Sequence, residues 1–346
     1  MYLTTLPIEE AIGHILRHNV ADARGHKALG KGHRLAPAEL TARAAGDGGV
    51  GGPVDRRRLG GHVDVPRMIE GGVGAQFFGL VSVHFPSRGL AAVIDEQIDR
   101  LDAAVAQHPD RLIKARTADD VRRAAASGAV AGLLGIEGAH ALEGRLDKLV
   151  HFARRGVRYL GLCHFTANEV CYPAYGKGRR DTHGLTVFGK EVVACAQDLG
   201  VIVDLAHINK QGFMDACALS RFPPIVSHTG VLGAFDHWRN IDDEQLRAIA
   251  DRGGVVGVIF CPRYLGADGI DPVVAHLRHI VDVCGEDTPA LGSDWDGFII
   301  PTSDLRDAAR LPLLTDALLK GGFSEDAIAK ILRRNALRVL ADNPLP

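Results

Sequence analysis

The chain has no cysteine pair in C-x-x-C spacing. Its six cysteines, Cys163, Cys171, Cys195, Cys217, Cys261 and Cys284, are scattered. This excludes a disulfide framework and predicts reduced thiols and a cytoplasmic location. No apolar run reaches the ~18 residues that a membrane-spanning helix needs, so none is expected. The first twenty residues lack a basic start and a continuous apolar stretch, so they are not read as a signal peptide. Charge is nearly balanced, at a net −2, and no long basic run occurs. Neither a nucleic-acid nor a membrane-surface partner is expected. There is no G-x-S-x-G elbow, which argues against a serine α/β-hydrolase site. The glycine stretches GGVGAQ and GDGGVGG do not match a phosphate loop, and GGVGAQ runs into a strand rather than a helix.

What is present is an ordinary globular balance. Of 346 residues, 46% are hydrophobic and 24% charged, enough to build a large core. Residues 1–45 form an N-terminal extension of helical pattern broken by basic, His-bearing turns. Residues 46–61, GDGGVGGPVDRRRLGG, form a linker rich in glycine and arginine. From residue 62 to 346 short apolar runs alternate with amphipathic stretches, the rhythm of βα units. The runs are 75–83, 129–138, 158–165, 201–207, 223–228, 255–260 and 289–297. That makes seven barrel-type strands, where a closed (β/α)8 TIM-type barrel needs eight. The absent one is the first. The expected fold is therefore an α/β barrel of the metal-dependent hydrolase kind, with its first strand missing or replaced. Ser324 reads as an N-cap in the C-terminal helical region.

Several of these strands end in a residue able to bind metal: Glu137, His164, His207, His228 and Asp294. Parallel strands point their C-terminal ends to one face, where active sites form. A lone histidine there is more often structural, and a lone carboxylate is more often a cap. Five together favour a divalent site. Asp204 and Asp296 read as structural partners, and His276 and His279 as surface or helix-face residues. Arg239 has two open readings, a salt bridge with Asp242 or Asp243, or a fork for a substrate carboxylate.

The segments GGVGAQFFGL, GLLGIEGAHAL, RGVRYLGLCHFTAN, GLTVFGKEVV, LGVIVDLAHI, PPIVSHTG, RNIDDEQL, GGVVGV and LGSDWDGF carry a resemblance. In order and spacing, residues ~62–340 resemble the membrane dipeptidase (renal dipeptidase, peptidase M19) family. The resemblance implies a metallodipeptidase that cleaves dipeptides through a zinc-activated hydroxide. It implies metal ligation by Glu137, His207 and His228, with Glu137 bridging two zinc ions. It implies contact with substrate or oxyanion for His164, carboxylate binding for Arg239 and proton transfer for Asp294. A homodimer is compatible with it.

One departure stands out. The family holds its first zinc with a His-x-Asp motif on strand one, some tens of residues before GGVGAQFF. Here His62-Val63-Asp64 lies almost directly before that segment, so His62 and Asp64 are not expected to be zinc ligands. One zinc instead of two, and an impaired or inactive family remnant, are the alternative this raises. Residues ~1–41 resemble a fragment of a molybdopterin-binding protein of molybdenum cofactor biosynthesis. That fragment is too short for a complete domain, and no catalytic residue is assigned to it.

Overall fold

The structure is a computed structural model that describes residues 2–4, 61–82 and 89–346. Residues 46–60 of the linker assigned to 46–61 and most of the 1–45 extension lie outside the described residues. One sheet of nine strands organises the molecule. These are β1 (Tyr2–Thr4), β2 (Val73–Val81), β3 (Leu112–Lys114), β4 (Val130–Glu137), β5 (Val157–Gly161), β6 (Ile202–Asp204), β7 (Ile225–Thr229), β8 (Val255–Val258) and β9 (Pro289–Leu291). Their order is β1-β2-β4-β5-β6-β7-β8-β9, with β3 pairing β4 off this path.

β2 and β4 to β9 pair in parallel throughout. Each overlaps one of the seven apolar runs. Helices connect them, as parallel neighbours require. The result is a curled α/β sheet of the TIM-barrel type. β3 was not read from the sequence, because three residues carry no periodicity. At the first-strand edge, β1 runs antiparallel to β2, with Tyr2 opposite Gln76, Leu3 opposite Ala75 and Thr4 opposite Val73. Among the described residues no pairing joins β9 to β1 or β2, so the sheet is open.

Two cores sit on the two faces of the sheet. The inner one stacks alternate residues of successive strands: Ala75 and Phe77 of β2, Ala131 and Leu133 of β4, Tyr159 of β5 and Ile202 of β6. Period-two alternation puts these side chains on one face. The final helix, Asn335–Asp342, adds Ala336, Val339 and Leu340 to this core. Arg158, fully buried on β5, ties that helix down by donating from Nη2 to the carbonyl of Asn343 at 2.7 Å.

The outer core lies between sheet and helices. The helix Leu90–Gln107 buries Ala91, Ile94, Ile98, Leu101 and Ala104, a three-to-four-residue spacing that forms one apolar stripe. Capping boxes start two other helices, Thr117 with Asp120 and Asp242 with Gln245. Ser324 caps the helix Glu325–Ala329, accepting from the amide of Ala327 at 3.1 Å.

The surface reading of His276 is corrected. It lies on the helix Asp271–Cys284 but faces inward, 1% exposed, and its Nδ1 accepts from the amide of Val231 at 2.9 Å. Burial pushes its pKa down to about 4. The unfolded chain therefore binds a proton that the folded chain refuses between about pH 6.5 and 4. The stability this histidine contributes is complete above that window and is lost as pH falls through it. His276→Asn keeps an acceptor without the titration. In urea unfolding the wild type should lose about 2 kcal/mol more than His276→Asn between pH 7 and 5. Equal losses would show that His276 is not the titrating group.

Candidate metal centre

The site is built at the C-terminal ends of the parallel strands. β4 ends at Glu137, and β7 carries His228. His164 and His207 follow β5 and β6 directly. Gly138, after Glu137, has φ +95°, and a Cβ there would strike the His140 ring at 2.2 Å. The chain can turn away beneath Glu137 only with glycine at that position. His207 and Asp294 also occupy the left-handed region, at φ 66° and 60°. Such backbone costs free energy for residues with a side chain and recurs where a site dictates orientation.

Glu137 is the centre. Its Oε1 lies 3.0 Å from Nε2 of His207, 3.4 Å from Nε2 of His228 and 3.7 Å from Nε2 of His164. The Nε2 atoms of His207 and His228 are 2.8 Å apart. Burial works to raise the Glu137 pKa, yet His164, His207 and His228 together hold it well below the usual carboxylate range. Burial keeps His207 and His164 below the ordinary histidine value. For His228 burial acts the same way but loses to Asp294 and Glu137, so its pKa is raised. Burial, reinforced by Glu137, pushes Asp294 up to about 6 against the opposing pull of His228.

A second layer orients His228. Asp204 accepts from the amide of Ser227 at 2.8 Å and from its hydroxyl at 2.7 Å. Oγ of Ser227 lies 2.9 Å from Nδ1 of His228. The single hydroxyl proton goes to the carboxylate, so Oγ accepts from Nδ1–H. That tautomer turns the lone pair of neutral Nε2 toward Glu137. Asp204, read from the sequence as a structural partner, thus acts on the site through Ser227. The adjacent Ser-His pair was the available sequence signal.

The remaining expected residues are placed as follows. Arg239 is buried; its Nη2 donates to the carbonyl of His228 at 2.8 Å, and Nη1 lies 3.4 Å from Oγ1 of Thr229. Its salt-bridge reading does not hold: Asp242 caps a helix and pairs with Lys210, and His279 takes Asp243 at 2.7 Å. Asp64 caps the helix Val65–Glu70 through the amide of Arg67 at 2.8 Å. The backbone amides of His62 and Val63 donate to Asp296 at 3.0 and 3.2 Å, and Nδ1 of His62 accepts from the amide of Asp296 at 3.1 Å. These contacts fasten the His62–Asp64 segment to the loop after β9.

Donor separations of 2.8, 3.0 and 3.4 Å among Glu137, His207 and His228 can be compared with a coordination tetrahedron. Bonds of ~2.0–2.1 Å give tetrahedral edges of about 3.3 Å. Two imidazoles and a carboxylate suit a zinc-like ion in both chemistry and spacing.

Histidines and carboxylates gathered at the C-terminal mouth of a parallel sheet define a metal-dependent hydrolase of the barrel type. The chain belongs to the membrane dipeptidase family, peptidase family M19, whose sequence profile matches residues 31–343. The match starts N-terminal to residue 62. Dipeptidase tcpJ of Claviceps purpurea is 32% identical over 300 residues, covering 82% of this chain and 70% of that protein. A solved dipeptidase described as a metallopeptidase of family M19 is 31% identical with TM-score 0.75, over 82% of this chain and 89% of that one. A metallopeptidase from Rhodobacter sphaeroides, liganded with a phosphinate mimic of the dipeptide L-Ala-D-Ala, is 29% identical with TM-score 0.71. That match covers 88% of this chain and 94% of the other.

The orienting role of Ser227 is measurable. Ser227→Ala should weaken binding of a divalent zinc ion by about 10–100-fold, the usual cost of losing an outer-layer partner. Competition against a chromophoric chelator reads this directly. Wild-type affinity in the variant would show that the Asp204–Ser227 chain does not position His228.

Proposed function

We propose that the chain is a zinc-dependent dipeptidase whose metal is held by Glu137, His207 and His228. The observation that carries this reading is the packing of their donor atoms within 3.4 Å of one another. A bound zinc ion would supply an activated water and positive charge for the oxygen that develops on the attacked carbonyl.

The chain's own residues do the rest. Two contacts fix the guanidinium of Arg239 against His228 and Thr229, and its other N–H donors are suited to a dipeptide's free carboxylate. Anchoring that carboxylate sets the scissile bond at a defined distance from Glu137. His164, kept from charging by burial, offers a neutral imidazole N–H to the developing oxyanion. Asp294, with its pKa pushed up to about 6, can hold a proton near neutrality and give it to the leaving amine. The six free cysteines suit a reducing compartment such as the cytoplasm.

A half-site with one metal is favoured over a binuclear one. The side chain of Asp64 caps a helix and that of His62 engages Asp296, so both are committed elsewhere. Among the described residues the candidate metal group is Glu137, His164 and His207, with Nε2 of His228 2.8 Å from that of His207.

Two measurements test this. Elemental analysis after zinc loading and desalting should find one zinc per chain. Two would show that further residues complete a second position, and none would identify an inactive family remnant. Against a panel of dipeptides that includes L-Ala-D-Ala, Glu137→Ala should abolish turnover. Full turnover in that variant would refute the assignment. Arg239→Lys should raise KM by about tenfold or more, because lysine cannot form the two-pronged contact. An unchanged KM would remove Arg239 from substrate binding.

A further inference from the structure

Beside Arg239 stands a group of aromatic rings, of which Tyr264 packs against the outer core. Trp238 and Tyr175 stack with ring centroids 4.2 Å apart and planes 25° from parallel. Tyr175 is nevertheless 51% exposed, so this stack faces solvent and not the interior. Tyr264 meets Trp238 edge-on at 5.9 Å, and His237 packs on both, at 5.0 and 5.1 Å. Two loops, carrying Tyr175 and His237–Trp238, and the short helix Pro262–Leu265, carrying Tyr264, therefore bring rings to one spot.

Each of these segments is tied to the site. Ala174, the neighbour of Tyr175, donates its amide to the carbonyl of His207 at 2.8 Å. Trp238 precedes Arg239 in the chain. Asn240 donates its side-chain amide to the carbonyls of Phe235 at 2.8 Å and Tyr264 at 2.9 Å, locking the second loop to the helix. The rings are thus held at fixed positions relative to both His207 and Arg239. Preorganised aromatic faces offer apolar area without an ordering cost.

We propose that Trp238, braced by Tyr175 and Tyr264, receives the side chain of the substrate's C-terminal residue and selects an aromatic or large apolar one. This rests on the reading that Arg239 binds the C-terminal carboxylate. The side chain next to that carboxylate leaves the same α-carbon and meets the wall beside Arg239. The N-terminal residue lies across the scissile bond, on the side of Glu137.

The test compares Ala-Phe, Phe-Ala and Ala-Ala with the zinc-loaded full chain and its Trp238→Ala and Tyr175→Ala variants. In the wild type kcat/KM for Ala-Phe should exceed that for Ala-Ala by about tenfold or more. That ratio should fall toward one in Trp238→Ala and by about threefold in Tyr175→Ala. The Phe-Ala to Ala-Ala ratio should be the same in all three proteins. Tyr175 is half exposed, so its truncation keeps the test open if Trp238→Ala folds poorly.

Binding gives a second readout, independent of turnover. Quenching of Trp238 fluorescence in EDTA-treated wild type and Tyr175→Ala reports affinity for the same dipeptides, since the other tryptophan, Trp295, is only 7% exposed. Tighter binding of Ala-Phe that weakens in Tyr175→Ala supports the wall even if no dipeptide is hydrolysed, in which case only the dipeptidase reading fails. Turnover with ratios that neither variant changes, or a preference that follows the N-terminal residue, overturns the wall and leaves the dipeptidase reading intact. Absence of both turnover and discriminating binding overturns both.

Discussion

The site depends on one buried carboxylate surrounded by imidazoles. Glu137 sits where an isolated charge would be costly, and burial alone would protonate it. Three histidines from three successive strand ends keep it ionised. Their arrival at one point follows from the sheet: parallel strands deliver their ends to the same face, and Gly138 lets the chain turn beneath the carboxylate. The rest of the architecture serves that convergence. The inner core holds the strands in register, and Arg158 secures the helix that completes this core.

Charge is shared unevenly within the centre. His207 and His164 are held neutral by burial, whereas His228 is drawn toward its charged form by Asp294 and Glu137. The difference follows from charge, since both Asp294 and Glu137 favour the protonated form of His228. Asp204 and Ser227 then fix which nitrogen of His228 faces the centre. One imidazole is thereby addressed by three acidic groups: Glu137 at 3.4 Å, Asp294 through its charge, and Asp204 through a hydroxyl. This arrangement favours a permanent positive charge at the centre over a shared proton.

Much of this was legible in the sequence because strand ends and motifs coincide. Glu137, His207 and His228 close apolar runs that are strands, so a periodicity reading placed them on one face before any coordinate did. The seven apolar runs correspond to seven of the eight parallel strands; the eighth, β3, is the short strand that pairs β4. Residues whose role depends on contacts distant in sequence were less legible. His276 sits in an amphipathic helix where its neighbours alternate between solvent and core, and only the packed helix shows it turned inward toward Val231. Asp204 carried no sign that it acts through Ser227. The ring group around Trp238 was missed because its members come from two loops and a helix of four residues, none of which carries a periodic signal. The side chains of His62 and Asp64 resemble a ligand motif, yet the structure engages them with Asp296 and a helix N-terminus.

The antiparallel strand β1 has a kinetic consequence. Pairing Tyr2 with Gln76 closes a long stretch of chain for a ladder of three residues, interrupted by a register shift. Loop-closure entropy must be overcome before so short a ladder returns any hydrogen bonds. The β2–β4 ladder spans seven residue pairs and is far nearer in sequence, so it forms on better terms. The edge beside β2 is therefore covered only after β2 and β4 have paired. Until then β2 presents an unpaired strand edge, the surface on which a nascent chain is most exposed to pairing with another.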